Sequence, residues 1–201
     1  SKLAAECQMP MCYGGGVTTV EEAVRLVDMG VEKVATSTAS IYRPSFVSEM
    51  ASAIGQQSVV IVLDVRKKRG FFSDGYELRT LNNKSEYKGD PFALARQLER
   101  SGAGEIVINS IDRDGTMQGY DLELAERFFE QLGIPVTILG GAGSLADLEK
   151  LMSKLGVVGA AAGSLFVFKG KYRAVLINYP TLSNKLEICQ TARNNFDGMG
   201  M

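Results

Sequence analysis

The chain of 201 residues contains no histidine. That removes the commonest general base and metal ligand, and leaves proton transfer to Asp, Glu, Cys, Lys or Tyr. Cysteine is scarce: Cys7, Cys12 and Cys189 form neither a metal-ligand spacing nor an even disulfide framework. No apolar run is long enough to span a bilayer or to act as a signal sequence, so no membrane association is expected, and a cytoplasmic location with reduced thiols is. One-sided charge is absent as well. The formal net charge is -1 and no block of Lys or Arg offers the footprint that nucleic acid demands.

With 45% hydrophobic and 22% charged residues, the chain has the balance of one globular domain with a sizeable core. Short apolar runs alternate with longer helical patterns, which predicts an α/β fold. The expected architecture is a parallel (βα)8 TIM-type barrel of which about six βα units are present. Strands are expected at Met9 to Tyr13, Lys33 to Ser37, Ser58 to Asp64, Glu105 to Ser110, Pro135 to Leu139 and Val157 to Ala161, mostly apolar throughout and buried on both faces. Helix starts are marked by Thr18-x-x-Glu21, Asp90-Pro91, Asp121 and Ser144-x-x-Asp147, and helix ends by Gly30, Gly102, Gly133 and Gly156 as left-handed caps. The connection at about 65–89 is long, and Tyr76 to Leu81 followed by Asn82-Asn83 predicts an inserted hairpin over the active site. The tail at about 169–201 is expected to be helical, first over Lys171 to Tyr179 and then in a weakly amphipathic stretch, with Phe196 to Met201 frayed.

An internal repeat carries the first functional signal. Gly14-Gly15-Gly16-Val17 matches Gly140-Gly141-Ala142-Gly143, and Val34 to Thr38 matches Ala160-Ala161-Ala162-Gly163-Ser164, with one chain separation dividing Gly15 from Gly141 and Thr38 from Ser164. A glycine-rich strand end followed by a second strand ending in Ser, Thr or Gly supplies converging N–H groups and hydroxyls that suit a phosphate dianion. Two such blocks predict two phosphate sites on opposite sides of one catalytic face, and a substrate with a phosphate at each end. The alternative is that these glycines only permit tight turns. By the same repeat, the partner of Asp64 would fall upstream of Ser1, so a preceding segment with a second carboxylate is expected.

Asp64 follows Val59-Val60-Ile61-Val62-Leu63, a position that would hold a partly desolvated carboxylate at a barrel mouth for general acid or base work. A structural ion pair with Arg66 or Lys67 is the competing role. In Ser110-Ile111-Asp112-Arg113-Asp114-Gly115-Thr116, Asp114 and Gly115 can present a carboxylate and a backbone amide, while Asp112 braces the loop. The spacing is not that of an EF-hand, and neither a metal nor another cofactor is expected.

From Lys2 to about Phe168 the chain resembles the cyclase subunit of imidazole glycerol phosphate synthase, the HisF family. The resemblance is carried by Gly14-Gly15-Gly16, Lys33-Val34, Asp64, Gly102 through Thr116, Gly119-Tyr120-Asp121 and Gly140 through Gly143. It implies a barrel of the ribulose-phosphate-binding kind and a glutaminase (HisH-type) partner. That partner delivers ammonia through the barrel to a bis-phosphorylated formimino-aminoimidazole carboxamide ribonucleotide, in histidine biosynthesis. It also implies that Asp64 is one of two acid-base aspartates, and that Gly15, Gly16, Ser37 and Thr38 hold one phosphate. The other phosphate falls to Asp114, Gly115, Gly140, Gly141, Gly163 and Ser164, and Lys33 and Glu105 are two of four residues gating ammonia entry. The family usually has Asn where Ser37 stands. Its first two strands would lie upstream of this chain, and without them the chain as given is expected either to be inactive or to assemble through the open sheet edges near Met9 and Val157. The tail from Val167 to Pro180 looks more like a HisF paralogue associated with ammonia-dependent amidation of a sugar in surface-polysaccharide synthesis. A non-catalytic barrel that supports its glutaminase is a third reading.

Overall fold

A computed structural model describes residues 9–68, 75–170 and 174–198. Residues 1–8, Cys7 among them, and the stretches 69–74, 171–173 and 199–201 lie outside the described residues. Two compact units emerge, one comprising residues 1–107 and 131–135, the other 108–130 and 136–201.

In the first unit, β1 (Cys12–Gly14) pairs parallel with β2 (Lys33–Thr36), and β2 with β3 (Val59–Lys67). The next parallel neighbour is β6 (Glu105–Ser110), whose first half belongs here. Between these strands run α1 (Val20–Asp28), the short α2 (Thr38–Tyr42), α3 (Ser45–Ile54) and α4 (Pro91–Arg100). The first cap sits one residue later than its motif implied. Thr19, not Thr18, caps α1, and Glu22 closes the box by accepting from both Thr18 and Thr19 N–H, which holds its carboxyl below the usual range. Asp90 caps α4 through Phe92 and Ala93 N–H, with Pro91 in the first turn, where its missing N–H costs nothing. Phe46, Val47 and Met50 of α3 are fully buried, which turns an apolar face into the main anchor of that helix; Phe46→Ala would cost about 3–5 kcal/mol.

Beyond its parallel pairing, β3 continues past Asp64. Residues Asp64 to Lys67 pair antiparallel with Tyr76 to Arg79 of β4 (Tyr76–Thr80), and β4 pairs in turn with β5 (Ser85–Tyr87). The inserted hairpin thus grows from the strand that carries Asp64. Lys67 Nζ lies 5.8 Å from the Tyr76 ring centre, and Arg66 Nε pairs with Glu77.

The second unit holds the rest of β6, then α5 (Leu122–Phe129), β7 (Val136–Leu139), α6 (Leu145–Leu155), β8 (Gly159–Ala160) and α7 (Ser164–Val167), with β7 and β8 parallel. Asp121 caps α5, and Asp147 in α6 accepts from Gly143 and Ser144 N–H and from Ser144 Oγ. Gly30 and Gly102 of the first unit and Gly156 of the second adopt positive φ at helix ends; Gly133, itself in the first unit, does not, and its N–H donates to Glu99 within that unit. Where a helix over Lys171 to Tyr179 is expected, β10 (Ala174–Val175) folds back antiparallel on β9 (Phe168–Lys169), and Leu176 and Asn178 N–H donate to Val167 and Phe166 carbonyls. The apolar run Val175-Leu176-Ile177 thus prolongs a ribbon. The following helix, α8 (Leu182–Gly198), packs on α6 through Ile188 and Ala192 beside Leu151 and Leu155, with Asn195 donating to Ser153 Oγ at 3.3 Å. Among the described residues no helix is long and apolar enough to cross a membrane.

The strands are not buried on both faces. In β2 and β6 burial alternates: Val34, Thr36, Ile106, Ile108 and Ser110 are buried, while Lys33, Ala35, Glu105, Val107 and Asn109 are half-buried. Helices cover one face, and the face carrying Lys33, Asp64 and Glu105 keeps access to solvent, so its polar side chains need not be fully desolvated.

Candidate functional site

One cavity of about 450 Å³ in the first unit is lined by Gly14 to Thr18, Ala35 to Ala39, Val62, Asp64, Leu81 and Asn82. It gathers Gly15, Gly16, Ser37, Thr38 and Asp64 from three separate strand ends. Gly15 (φ 117°) and Gly16 (φ 75°) take backbone conformations that side chains rarely adopt, and a Cβ at either would meet nothing within 4 Å. Their bareness therefore serves no protein packing and leaves the turn open to the cavity. Ser37 and Thr38 stand at the start of α2, where first-turn N–H groups lack intrahelical partners.

Asp64 is half-buried at the point where β3 exchanges parallel pairing for the hairpin. Its register partner across the antiparallel ladder is Arg79. Arg66, one candidate for a structural ion pair with Asp64, pairs with Glu77. By strand parity Asp64 shares a sheet face with Lys33, Asp64 towards the carboxyl end of β3 and Lys33 at the start of β2.

At that starting end, Lys33 Nζ and Glu105 Oε2 form an ion pair at 2.5 Å. Cys12, the register partner of Lys33, lies beside it. Although the cysteine reaches solvent, partial desolvation and then the Glu105 carboxylate push its thiol above the ordinary 9.0, while Lys33 acts in the opposite sense.

In the second unit, three segments are tied together. Gly119 N–H donates to Gly141 carbonyl at 2.8 Å, joining the loop of Asp114 and Gly115 to the turn of Gly140 and Gly141. Tyr120 Oη donates to Ala161 carbonyl at 2.9 Å, joining the same loop to the strand end before Gly163 and Ser164. Burial, then the Asp147 carboxylate, raise the Tyr120 phenol above the tyrosine range and keep it a donor. A Cβ on Gly140 would lie 2.6 Å from Ser110 O, and one on Gly141 2.2 Å from Gly119 O, so here close packing accounts for the glycines. Gly115 (φ 72°) and Gly163 meet nothing within 4 Å; Asp114 and Gly115 are exposed, Ser164 half-buried.

Sequence reasoning did not single out Leu81 and Asn82 as cavity residues, nor Arg79 and Tyr120 as braces. Asn82-Asn83 marked a turn, but only the pairing of β3 with β4 brings that turn to the cavity. Among the described residues no group of His, Cys, Asp and Glu could hold a metal ion.

Residues 1–173 match the family described as histidine biosynthesis protein. The chain is 47% identical to a provisionally assigned imidazole glycerol phosphate synthase subunit hisF3 of Vibrio vulnificus, over 92% of this chain and 70% of that protein. It is 46% identical to a provisionally assigned subunit hisF2 of Pseudomonas aeruginosa, over 94% of this chain and 73% of the relative. With the imidazole glycerol phosphate synthase subunit HisF of Hyphomonas neptunium it shares 37% identity over 84% of this chain and 65% of the relative. The parallel βα succession is that of a partial (βα)8 TIM-type barrel, and the chain belongs to the histidine biosynthesis protein family, among its HisF-type enzymes.

Proposed function

We propose that this chain performs the cyclase reaction of imidazole glycerol phosphate synthase. Ammonia released by a HisH-type glutaminase reacts with a bis-phosphorylated formimino-aminoimidazole carboxamide ribonucleotide, and cleavage with ring closure yields imidazole glycerol phosphate and the released aminoimidazole carboxamide ribonucleotide. The observation that carries this reading is the single cavity lined by Asp64, Gly15, Gly16, Ser37 and Thr38. A carboxylate beside a phosphate turn can move protons on a substrate whose charged end is held still. Asp64 is the acid-base residue. One phosphate lies on Gly15, Gly16, Ser37 and Thr38; the other is held by Asp114, Gly115, Gly140, Gly141, Gly163 and Ser164.

Lys33 and Glu105 admit ammonia. Their ion pair on the same sheet face as Asp64, at the opposite strand end, supports an entry on that side. The test is turnover of the bis-phosphorylated precursor with ammonium, read as imidazole glycerol phosphate formed. Product formation is expected; none under saturating substrate contradicts the reading.

A second reading has its own observation. Identity to the numbered, provisionally assigned subunits is 46–47%, against 37% for the Hyphomonas subunit. It also has Ser37 where the family usually has Asn. Both fit a paralogue that directs ammonia to a sugar in surface-polysaccharide synthesis. Amidation of a sugar carboxylate in the presence of the glutaminase, with no imidazole product, would favour it.

A further inference from the structure

We propose that Asn82 is a specificity-determining residue that reads a hydroxyl-bearing carbon next to the phosphate ester, from a hairpin fixed against α2, the helix that begins at Thr38. Leu81, Asn82 and Asn83 take φ of 53°, 54° and 66°, three successive non-glycine residues in the left-handed region. Asn accepts that region readily, but Leu does so only when its surroundings impose it.

Here they do. Arg79 Nε donates to Asn83 Oδ1 at 3.0 Å and Arg79 Nη2 to Asn83 carbonyl at 2.9 Å, so one guanidinium clamps the turn from both side chain and main chain. The hairpin is also joined to α2, the helix that begins at Thr38. Leu81 N–H donates to Thr38 Oγ1 at 3.3 Å, Tyr42 Oη and Thr80 Oγ1 share a hydrogen bond at 3.1 Å, and the Tyr42 and Tyr87 rings meet edge-on at 6.4 Å.

Two consequences follow for chemistry. An accepted N–H at Thr38 Oγ1 leaves that hydroxyl's own proton to donate to a phosphate oxygen. The strained turn presents Asn82 to the cavity that holds Asp64. A carboxamide can donate and accept at once, and suits a neutral hydroxyl better than a phosphate oxygen. Asp64 works at the reacting end, the glycine turn holds the charge, and Asn82 reads the carbon chain beside it.

The inference rests on the cavity being a phosphate-ester site, and its test does not require cyclase turnover. Calorimetric isotherms for inorganic phosphate and for glycerol 3-phosphate are compared on the unaltered chain, on Asn82→Gly and on Thr38→Val. Glycine keeps the left-handed backbone, so Asn82→Gly removes the carboxamide without disturbing the turn. The unaltered chain is expected to bind glycerol 3-phosphate about fivefold more tightly than inorganic phosphate, as one added neutral hydrogen bond allows. Asn82→Gly abolishes that preference and leaves phosphate affinity unchanged, whereas Thr38→Val weakens both probes. A preference retained in Asn82→Gly, or no binding of either probe by the unaltered chain, overturns the proposal. A chain that shows the preference yet forms no imidazole product contradicts the cyclase reading while upholding the role of Asn82.

Discussion

Lys33 and Glu105, 72 positions apart in the chain, meet as an ion pair at 2.5 Å. Their strands lead towards a face that also carries Asp64. If the pair admits ammonia, Glu105→Gln lowers glutamine-driven product formation with the glutaminase present and spares the ammonium-driven rate. Since Lys33 is 42% exposed, the loss of stability should stay at or below about 1 kcal/mol. Equal effects on both nitrogen sources would contradict a gating role.

Cys12 offers a probe of the same region. Its raised thiol pKa means that the folded chain holds the proton more tightly than the unfolded one. This contribution to stability is fully present below the ordinary 9.0 and is lost as pH rises through the folded value. Iodoacetamide should modify Cys12 more slowly than a free peptide thiol near pH 8. Glu105→Gln should accelerate the reaction, and Lys33→Met should slow it. A change in the reverse sense would show that these charges do not act on the sulfur.

Glycines of the two turns should behave differently. Gly141→Ala combines φ 104° with a Cβ 2.2 Å from Gly119 O, and should cost about 3 kcal/mol or more in denaturant unfolding. Gly16→Ala meets open space at φ 75°, so its cost should be only about 1 kcal/mol, while phosphate binding is lost. Similar losses of stability for both would undercut the distinction between a turn packed against its neighbours and a turn left open to the cavity.

Much of this was legible in the chain. Asp90-Pro91 and Ser144-x-x-Asp147 form the caps their spacing implies, because these motifs satisfy local backbone groups and need no distant partner. The register that brings Asp64 into one cavity with the glycine turn follows from a regular βα succession. The hairpin did not yield so readily. Asp64 follows the parallel run, but β3 continues to Lys67 because β4, the next strand in the chain, supplies an antiparallel partner. Leu81 and Asn82 become cavity residues only through that pairing. The strand at Ala174–Val175 stands where the periodicity predicts helix, because a run such as Val175-Leu176-Ile177 satisfies either period until Phe168 is there to pair with it.

Tyr120→Phe should test the bracing of the second turn. Deleting the hydroxyl leaves Ala161 carbonyl without that donor and should cost about 1 kcal/mol, with weaker binding of phosphate by the second unit. Alkaline titration of the unaltered chain should show Tyr120 among the late-ionising tyrosines, and Tyr120→Phe should reduce the late amplitude. An unchanged late amplitude in Tyr120→Phe would contradict the assignment.

The central claim is that Asp64 moves protons in the cavity it shares with Gly15, Gly16, Ser37 and Thr38. The most direct measurement is ammonium-driven turnover of the bis-phosphorylated precursor by Asp64→Asn against the unaltered chain, with unfolding followed in parallel. A fall in kcat of about 100-fold or more with folding intact is expected. Equal rates for the two proteins would contradict it.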